Sequence, residues 1–199
     1  MKSTHFTQMN SPIGTISLCG TEHGLAGIFM ENHCHGPSQA QRHGWHRDDD
    51  FFAEARAQLE EYFAGRRTVF SVDIDRDAVG GTSFQRRVWK ALEEIPFGVT
   101  ISYGELARRI NQPSAVRAVG LANGRNPLSI IVPCHRVIGS DGKLTGYGGG
   151  MERKRWLLDL ESCAVQQDRV TPSLPEQMFF PLRCRCHIPE IATSSRLPA

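Results

Sequence analysis

Residues 102–124 read "SYGELARRINQPSAVRAVGLANG", and this stretch decides the architecture. "SYGELARRI" is a short helix, "NQP" a turn, and "SAVRAVGLAN" a second helix that starts at Ser114, a residue type that caps helix N-termini. Two short helices across a tight turn make a helix-turn-helix, although many helical hairpins bind nothing.

Working outward, "SFQRRVWKALEEIPFG" (83–98) spaces Phe84, Val88, Leu92 and Ile95 along one helical face before Pro96 and Gly98 stop it. Downstream of "GRNP", the run "LSIIV" (128–132) is a strand or extended segment that leads through Pro133 into "CHR" (134–136). "IGSDGKLTGYGGG" (138–150) is a glycine-rich loop, and "MERKRWLLDLE" (151–161) a closing helix.

The preceding unit differs in kind. "FTQMNSPIGTISLCGTEHGLAGIFM" (6–30) alternates Ile16 and Leu18 with polar neighbours and breaks at "SPIG" and "TEHG", the pattern of an antiparallel meander. The polar, histidine-rich "ENHCHGPSQAQRHGWHRDDD" (31–50) is a loop. A helix fits residues 51–64, with Phe52, Ala55, Leu59 and Phe63 at helical spacing and Gly65 just past its end. "TVFSVDID" (68–75) alternates Phe70, Val72 and Ile74 as a strand, and "RDAVGGT" (76–82) is a linker. The expected organisation is an α/β domain over 1–81, a mainly α helix-turn-helix domain over 82–161, and a proline-containing tail over 162–199 that reads as disorder.

The chain has 199 residues, 40 % of them hydrophobic and 22 % charged, and holds no apolar run near the roughly 18 residues that span a bilayer. "MKSTHFTQMNSPIG" lacks the apolar centre of a signal peptide, so the expected setting is cytoplasmic, or nuclear in a eukaryote. Cys19, Cys34, Cys134, Cys163, Cys184 and Cys186 form no regular framework and are read as free thiols. The net charge of +2 hides an asymmetry: residues 1–81 hold 7 basic against 11 acidic side chains, whereas residues 82–161 hold 12 against 7. The basic segment is the part that would meet a polyanion such as DNA, though a merely solvated basic face has the same composition.

Cys134 stands beside His135 and Arg136. A thiol titrates near about pH 8.5 and needs a base or positive charge to act as a nucleophile at neutral pH. Neighbours on a strand point to opposite faces, so any cooperation between Cys134 and His135 requires a bend or a bridging water. A buried cysteine is also commonly a small hydrophobe.

The segments "TSFQRRVWKAL", "IPFGVTISYGELA", "RAVGLANGRNP", "IIVPCHRVIGSDGKLTGYGGG" and "KRWLLDLE", in this order and spacing, resemble the catalytic domain of the O6-alkylguanine-DNA alkyltransferases. "SPIGTISLCG" and "QLEEYFAG" resemble that family's small ribonuclease-H-like first domain, so the likeness spans residues 1–161. It implies direct-reversal DNA repair. Cys134 takes the alkyl group from O6 of guanine, the sequence leaving open whether O4-alkylthymine is also repaired, and the thioether that results spends the protein after one turnover. No cofactor or metal is implied, and the partner is double-stranded DNA, bound by a monomer through the minor groove with weak sequence preference and without a membrane.

By the same resemblance, the proton of Cys134 passes through a water to His135, which Glu161 holds; Glu161 alone would read as a solvated helix-end carboxylate. Tyr103 donates to the leaving guanine and crowds the rotated nucleotide's phosphate. Asn126 braces the turn before the cysteine, and also suits a plain turn before Pro127. Arg117 fills the space of the flipped base, Ala118, Gly120 and Ala122 allow close approach to DNA, and Arg136 adds a basic contact. Val137, Tyr147 and Gly148 wall the base pocket, with Ser129 where animal members carry a proline. Thr21 and Ala26 stand where animal members have zinc ligands, so that zinc is not expected. His33, Cys34, His35, His43 and His46 are residue types that could bind a metal, but their irregular spacing in a loop argues against it. Two other classes use overlapping parts: a protein that recognises alkylated bases without repairing them, and a cysteine hydrolase acting on a small ester or amide.

Overall fold

Three strands open the computed structural model, which describes residues 4–38 and 42–170. β1 (His5–Met9), β2 (Ile16–Thr21) and β3 (Gly24–Met30) form the expected meander, joined by turns at "SPIG" and at Glu22–His23. The sheet is mixed, because a fourth strand inside the expected loop, β4 (His46–Arg47), pairs parallel with β1 and gives the order β3-β2-β1-β4. β4 is two residues long, polar and exposed, which leaves no alternation to read.

The helix expected over 51–64 is α1 (Ala53–Phe63). It ends with Gly65 at φ +70°, where the Gly65 and Arg66 amides close back on the carbonyls of Tyr62 and Glu61. "TVFSVDID" does not form the expected strand. Only Ile74 bridges the sheet, at Leu25, and the amide of Ser71 donates instead to the side chain of Gln58 on α1. The expected linker holds a short helix, α2 (Arg76–Val79), because Asp75 accepts from the amides of Asp77 and Ala78 and nucleates a turn.

α3 (Ser83–Glu93) begins with a reciprocal cap between Thr82 and Gln85. Its Val88 and Leu92, with Ile95 beyond its end, are buried, each worth about 1.5–3 kcal/mol of apolar burial. β5 (Ile101–Ser102) leads into α4 (Tyr103–Arg109), capped by Ser102, and α5 (Val116–Gly124) completes the helix-turn-helix. Ser114 does not cap α5; the helix starts after Ala115, following a turn at Asn111 with φ +57°.

"LSIIV" is a tight turn rather than a strand, with Ile130 at φ +74°, a conformation that a β-branched residue adopts only when its surroundings impose it. Cys134–Arg136 is one turn of 3₁₀ helix, followed by β6 (Val137–Ile138), which pairs parallel with β5. α6 (Met151–Val170) runs past the expected boundary at Glu161, so the expected tail begins as helix; residues 171–199 lie outside the described residues.

The sheet domain and the helical domain share one core, from Leu18 and Ile28 to Leu92, Leu106 and Leu157. The amide of Ile28 donates to the carbonyl of Pro127, and Arg153 on α6 reaches the carbonyls of Ile13, Glu31 and Gly149. Among the described residues, no helix is long and apolar enough to cross a membrane.

Candidate active site and DNA-facing helix

Cys134–Arg136 form a 3₁₀ turn rather than a strand, so successive side chains do not alternate between two opposite faces. Cys134 is 4 % exposed, and its sulfur accepts from Asn126 Nδ2 at 3.1 Å. The same amide nitrogen donates to Val132 O at 2.8 Å, while Asn126 Oδ1 accepts from the amide of Leu128. Asn123, from α5, donates to the carbonyl of Cys134. Burial pushes the Cys134 thiol up to about 11, against the pull of the Asn126 hydrogen bond and the Lys154 charge. The sulfur therefore keeps its proton at neutral pH, and a reaction at this sulfur needs a base.

His135 is fully buried and its Nε2 lies 2.8 Å from Glu161 Oε1. Burial lowers its pKa, more than the hydrogen bond to Glu161 raises it, so it is a neutral imidazole able to accept a proton. Among the described residues, its Nδ1 has no hydrogen-bond partner. Glu161, reached by three turns of α6, is buried and saturated: Oε1 accepts from His135, Arg136 Nη2 and Tyr62 OH, and Oε2 from Arg136 Nε and the amide of Gly98. Burial opposes its charge, but hydrogen bonds from His135 and Arg136 together with the Arg136 charge outweigh it and hold the carboxyl far below the usual range. Gly98 is required here: its φ is +72°, and a Cβ would lie 2.5 Å from Val165 Cγ2.

Arg136 does not belong to a DNA-contacting surface. It is 6 % exposed, with its guanidinium bidentate to Glu161, bonded to the carbonyl of Ile95 and stacked over Phe97. Reaching solvent would strand Glu161 as an unpaired buried charge.

Lys154 escapes notice in the sequence, where "RKRW" looks like a solvated face. Its side chain is fully buried, with Nζ donating to the carbonyls of Val137 and Thr145 at 2.7 Å each and lying 5.9 Å from the centre of the Tyr103 ring. Burial lowers its pKa to about 8, against the attraction of Cys134. Tyr62, 99 residues from Glu161 in sequence, escaped notice for the same reason: only tertiary packing brings it there.

Tyr103 begins α4, with its hydroxyl donating to the carbonyl of Thr145 and its ring beside Gly120. Val137 is buried behind the cysteine, and Ser129 is fully buried in the preceding turn. Tyr147 reaches Met30 of the sheet domain, and Gly148 packs so closely on His33 that a Cβ would come within 2.5 Å of its ring. His33 and Cys34 thus back the glycine loop, with the Cys34 amide donating to Gly148 O. Among the described residues, no three His, Cys, Asp or Glu side chains converge as a metal site requires.

α5 presents two faces. Val119, Ala122 and Asn123 are buried, whereas Arg117, Ala118, Leu121 and Arg125 are exposed. Ala122, expected to approach DNA, faces inward, and its carbonyl accepts from Trp89 Nε1 at 2.8 Å. Leu121, 68 % exposed beside two arginines, is an outward apolar residue that the sequence reading passed over.

Residues 83–163 match the DNA-binding domain of 6-O-methylguanine DNA methyltransferase, and residues 4–76 match the ribonuclease-like domain of the same protein. A methylated-DNA–protein-cysteine methyltransferase of Mycobacterium tuberculosis is 51 % identical over 164 residues, 82 % of this chain and 96 % of the relative. One of Methanosarcina acetivorans is 51 % identical over 162 residues, 80 % of this chain and 99 % of the relative. The crystal structure of Mycobacterium tuberculosis OGT in complex with DNA is similar with a TM-score of 0.75 at 52 % identity, covering 80 % of this chain and 94 % of that one.

Proposed function

This chain belongs to the methylated-DNA–protein-cysteine methyltransferase family, and from that premise we propose that it repairs O6-alkylguanine in DNA by moving the alkyl group onto Cys134, once per molecule. The observation that carries the reading is the buried set Asn126, Cys134, His135 and Glu161, in which a thiol that retains its proton and a neutral imidazole backed by a carboxylate are consecutive residues of one 3₁₀ turn.

In the proposed step the sulfur attacks the alkyl carbon, the C–S bond forms, and the C–O6 bond breaks with its electron pair leaving on guanine. The thiol proton passes to His135 through a water. The unpartnered Nδ1 of His135 suits that water, and Glu161 stabilises the imidazolium. Return of that proton to the guanine anion balances the reaction, with the Tyr103 hydroxyl as the donor that meets charge developing on the ring. The Asn126 amide and the Lys154 charge favour sulfur as it gains negative character. The thioether formed is not hydrolysed, so the protein is consumed.

A base inside a duplex is out of reach of a sulfur 4 % exposed, and the nucleotide must rotate out at a cost of a few kcal/mol of stacking. The exposed face of α5 supports this part of the reading. Arg117 takes the vacated place in the stack, and Ala118 and Gly120 let the helix lie in the minor groove as a monomer reads shape more than sequence. Val137, Tyr147, Gly148 and Ser129 enclose the flipped base, and O4-alkylthymine presents the same alkyl–oxygen bond to the sulfur.

The test is digestion of a duplex carrying O6-methylguanine after incubation with graded protein. Restored guanine should equal the protein added and never exceed it. Restoration beyond one equivalent would contradict single use, and tight binding without restoration would favour a recognition protein.

A further inference from the structure

The proton relay is built within the helical domain except at one point. Tyr62 lies on α1, in the sheet domain's share of the core, yet its hydroxyl donates to Glu161 Oε1 at 2.8 Å. The ring is fully buried, packed against Phe63, Phe70 and Phe97 at 5.5 to 6.0 Å between centres, so the hydroxyl has no freedom to turn elsewhere. Oε1 is also the oxygen that His135 contacts, whereas Gly98 bonds only to Oε2. A carboxylate oxygen has few lone-pair directions, and each donor it satisfies weakens its pull on the others.

We propose that Tyr62 is a positioning residue for alkyl transfer: its hydroxyl fixes Glu161 and limits how strongly that carboxylate raises the basicity of His135. This rests on the reading of His135 as the proton acceptor. The sheet domain then sets the pH range of the reaction rather than only completing the core. The other charged or titratable groups facing the pair are Arg136 from the 3₁₀ turn, Lys154 from α6, Cys134 itself and Tyr147 from the glycine loop. Arg136 bonds both oxygens of Glu161 and shares Oε1 with His135, but it is present in every variant compared. Burial and the Glu161 carboxylate push the phenol well above its ordinary value, so it acts as a neutral donor throughout the working range.

The sign follows from the geometry. Without the hydroxyl, Oε1 accepts more strongly from His135, the imidazolium is better stabilised, and His135 holds a proton up to a higher pH. The protonated ring cannot accept from the thiol, so the acid limb of the rate moves upward.

The experiment is single-turnover methyl transfer from an O6-methylguanine duplex across about pH 4 to 9, with wild type, Tyr62→Phe, a protein carrying 3-fluorotyrosine at position 62, and His135→Ala. Tyr62→Phe keeps the ring and should raise the acid limb by about one pH unit, the scale of a hydrogen bond to a charged group. Fluorotyrosine, a stronger donor, should move the limb the other way, and it decides the matter if the phenylalanine variant does not fold. A residue that only packs would leave the limb in place in both, which would overturn the inference while methyl transfer to Cys134 persisted. A limb that survives unchanged in His135→Ala would overturn the inference together with the relay on which it rests.

Discussion

Asn126 Nδ2 stands 3.1 Å from Cys134 Sγ and 2.8 Å from the carbonyl of Val132, so one buried amide ties the Cys134 sulfur to the strained turn that precedes it. Asn126→Ala removes both bonds and leaves the Leu128 amide unpaired, while the Val132 carbonyl keeps only its bond from the Cys134 amide. The expected loss is about 1–3 kcal/mol of stability per buried group and at least tenfold in methyl-transfer rate. Urea unfolding and single-turnover kinetics read the two effects separately.

Glu161 is the counter-charge for buried Arg136 as well as the partner of His135. Glu161→Gln should cost about 3–5 kcal/mol, because an uncompensated guanidinium stays in the core. The folded carboxyl lies below its unfolded value of 4.5, so its contribution is complete above that value and is lost as pH falls through the folded one. The stability gap between wild type and variant should be widest above about pH 5 and narrow in acid, as measured by thermal unfolding.

Lys154 loses its proton near pH 8 in the folded chain, against an ordinary 10.5. Between those values the unfolded chain holds a proton that the folded one has released, so this residue makes stability rise with pH. Cys134 and Cys19, whose thiols burial pushes up to about 11 and about 12, act in the opposite sense in the same alkaline region. The difference between wild type and Lys154→Met is therefore the useful quantity. It should change in favour of wild type from pH 8 to 10, while the variant transfers methyl about tenfold more slowly for want of a cation near the sulfur.

Arg117 and Arg136 should separate cleanly. Arg117→Ala leaves an exposed helix face and should lower DNA affinity with a salt slope smaller by about one. Arg136→Gln should destabilise the fold and leave the salt slope of the remaining folded protein unchanged, because the guanidinium is spent on Glu161. Salt-dependent binding titrations distinguish them.

Much of this was legible along the chain, and what was not has physical causes. α3 is readable because its cap, its apolar spacing and its Pro96 stop all lie within one local window. The strand expected over 68–75 fails because Gln58, a residue from elsewhere, satisfies the Ser71 amide. β4 is too short and too polar to leave a pattern. The family motif located Cys134, His135, Asn126 and Glu161, but not that Arg136 turns inward: an arginine's chain position does not reveal which carboxylate it will meet. Lys154 and Tyr62 stayed hidden because their partners, the Val137 carbonyl and Glu161, are 17 and 99 residues away.

The central claim is that Cys134 is the acceptor. The most direct measurement is intact mass with peptide mapping after mixing the protein with a duplex containing O6-methylguanine, beside Cys134→Ser. The account predicts one methyl gained per molecule, carried on the Cys134 peptide and absent from the serine variant. A methyl on Cys19, Cys34 or Cys163, or no gain in mass, would contradict it.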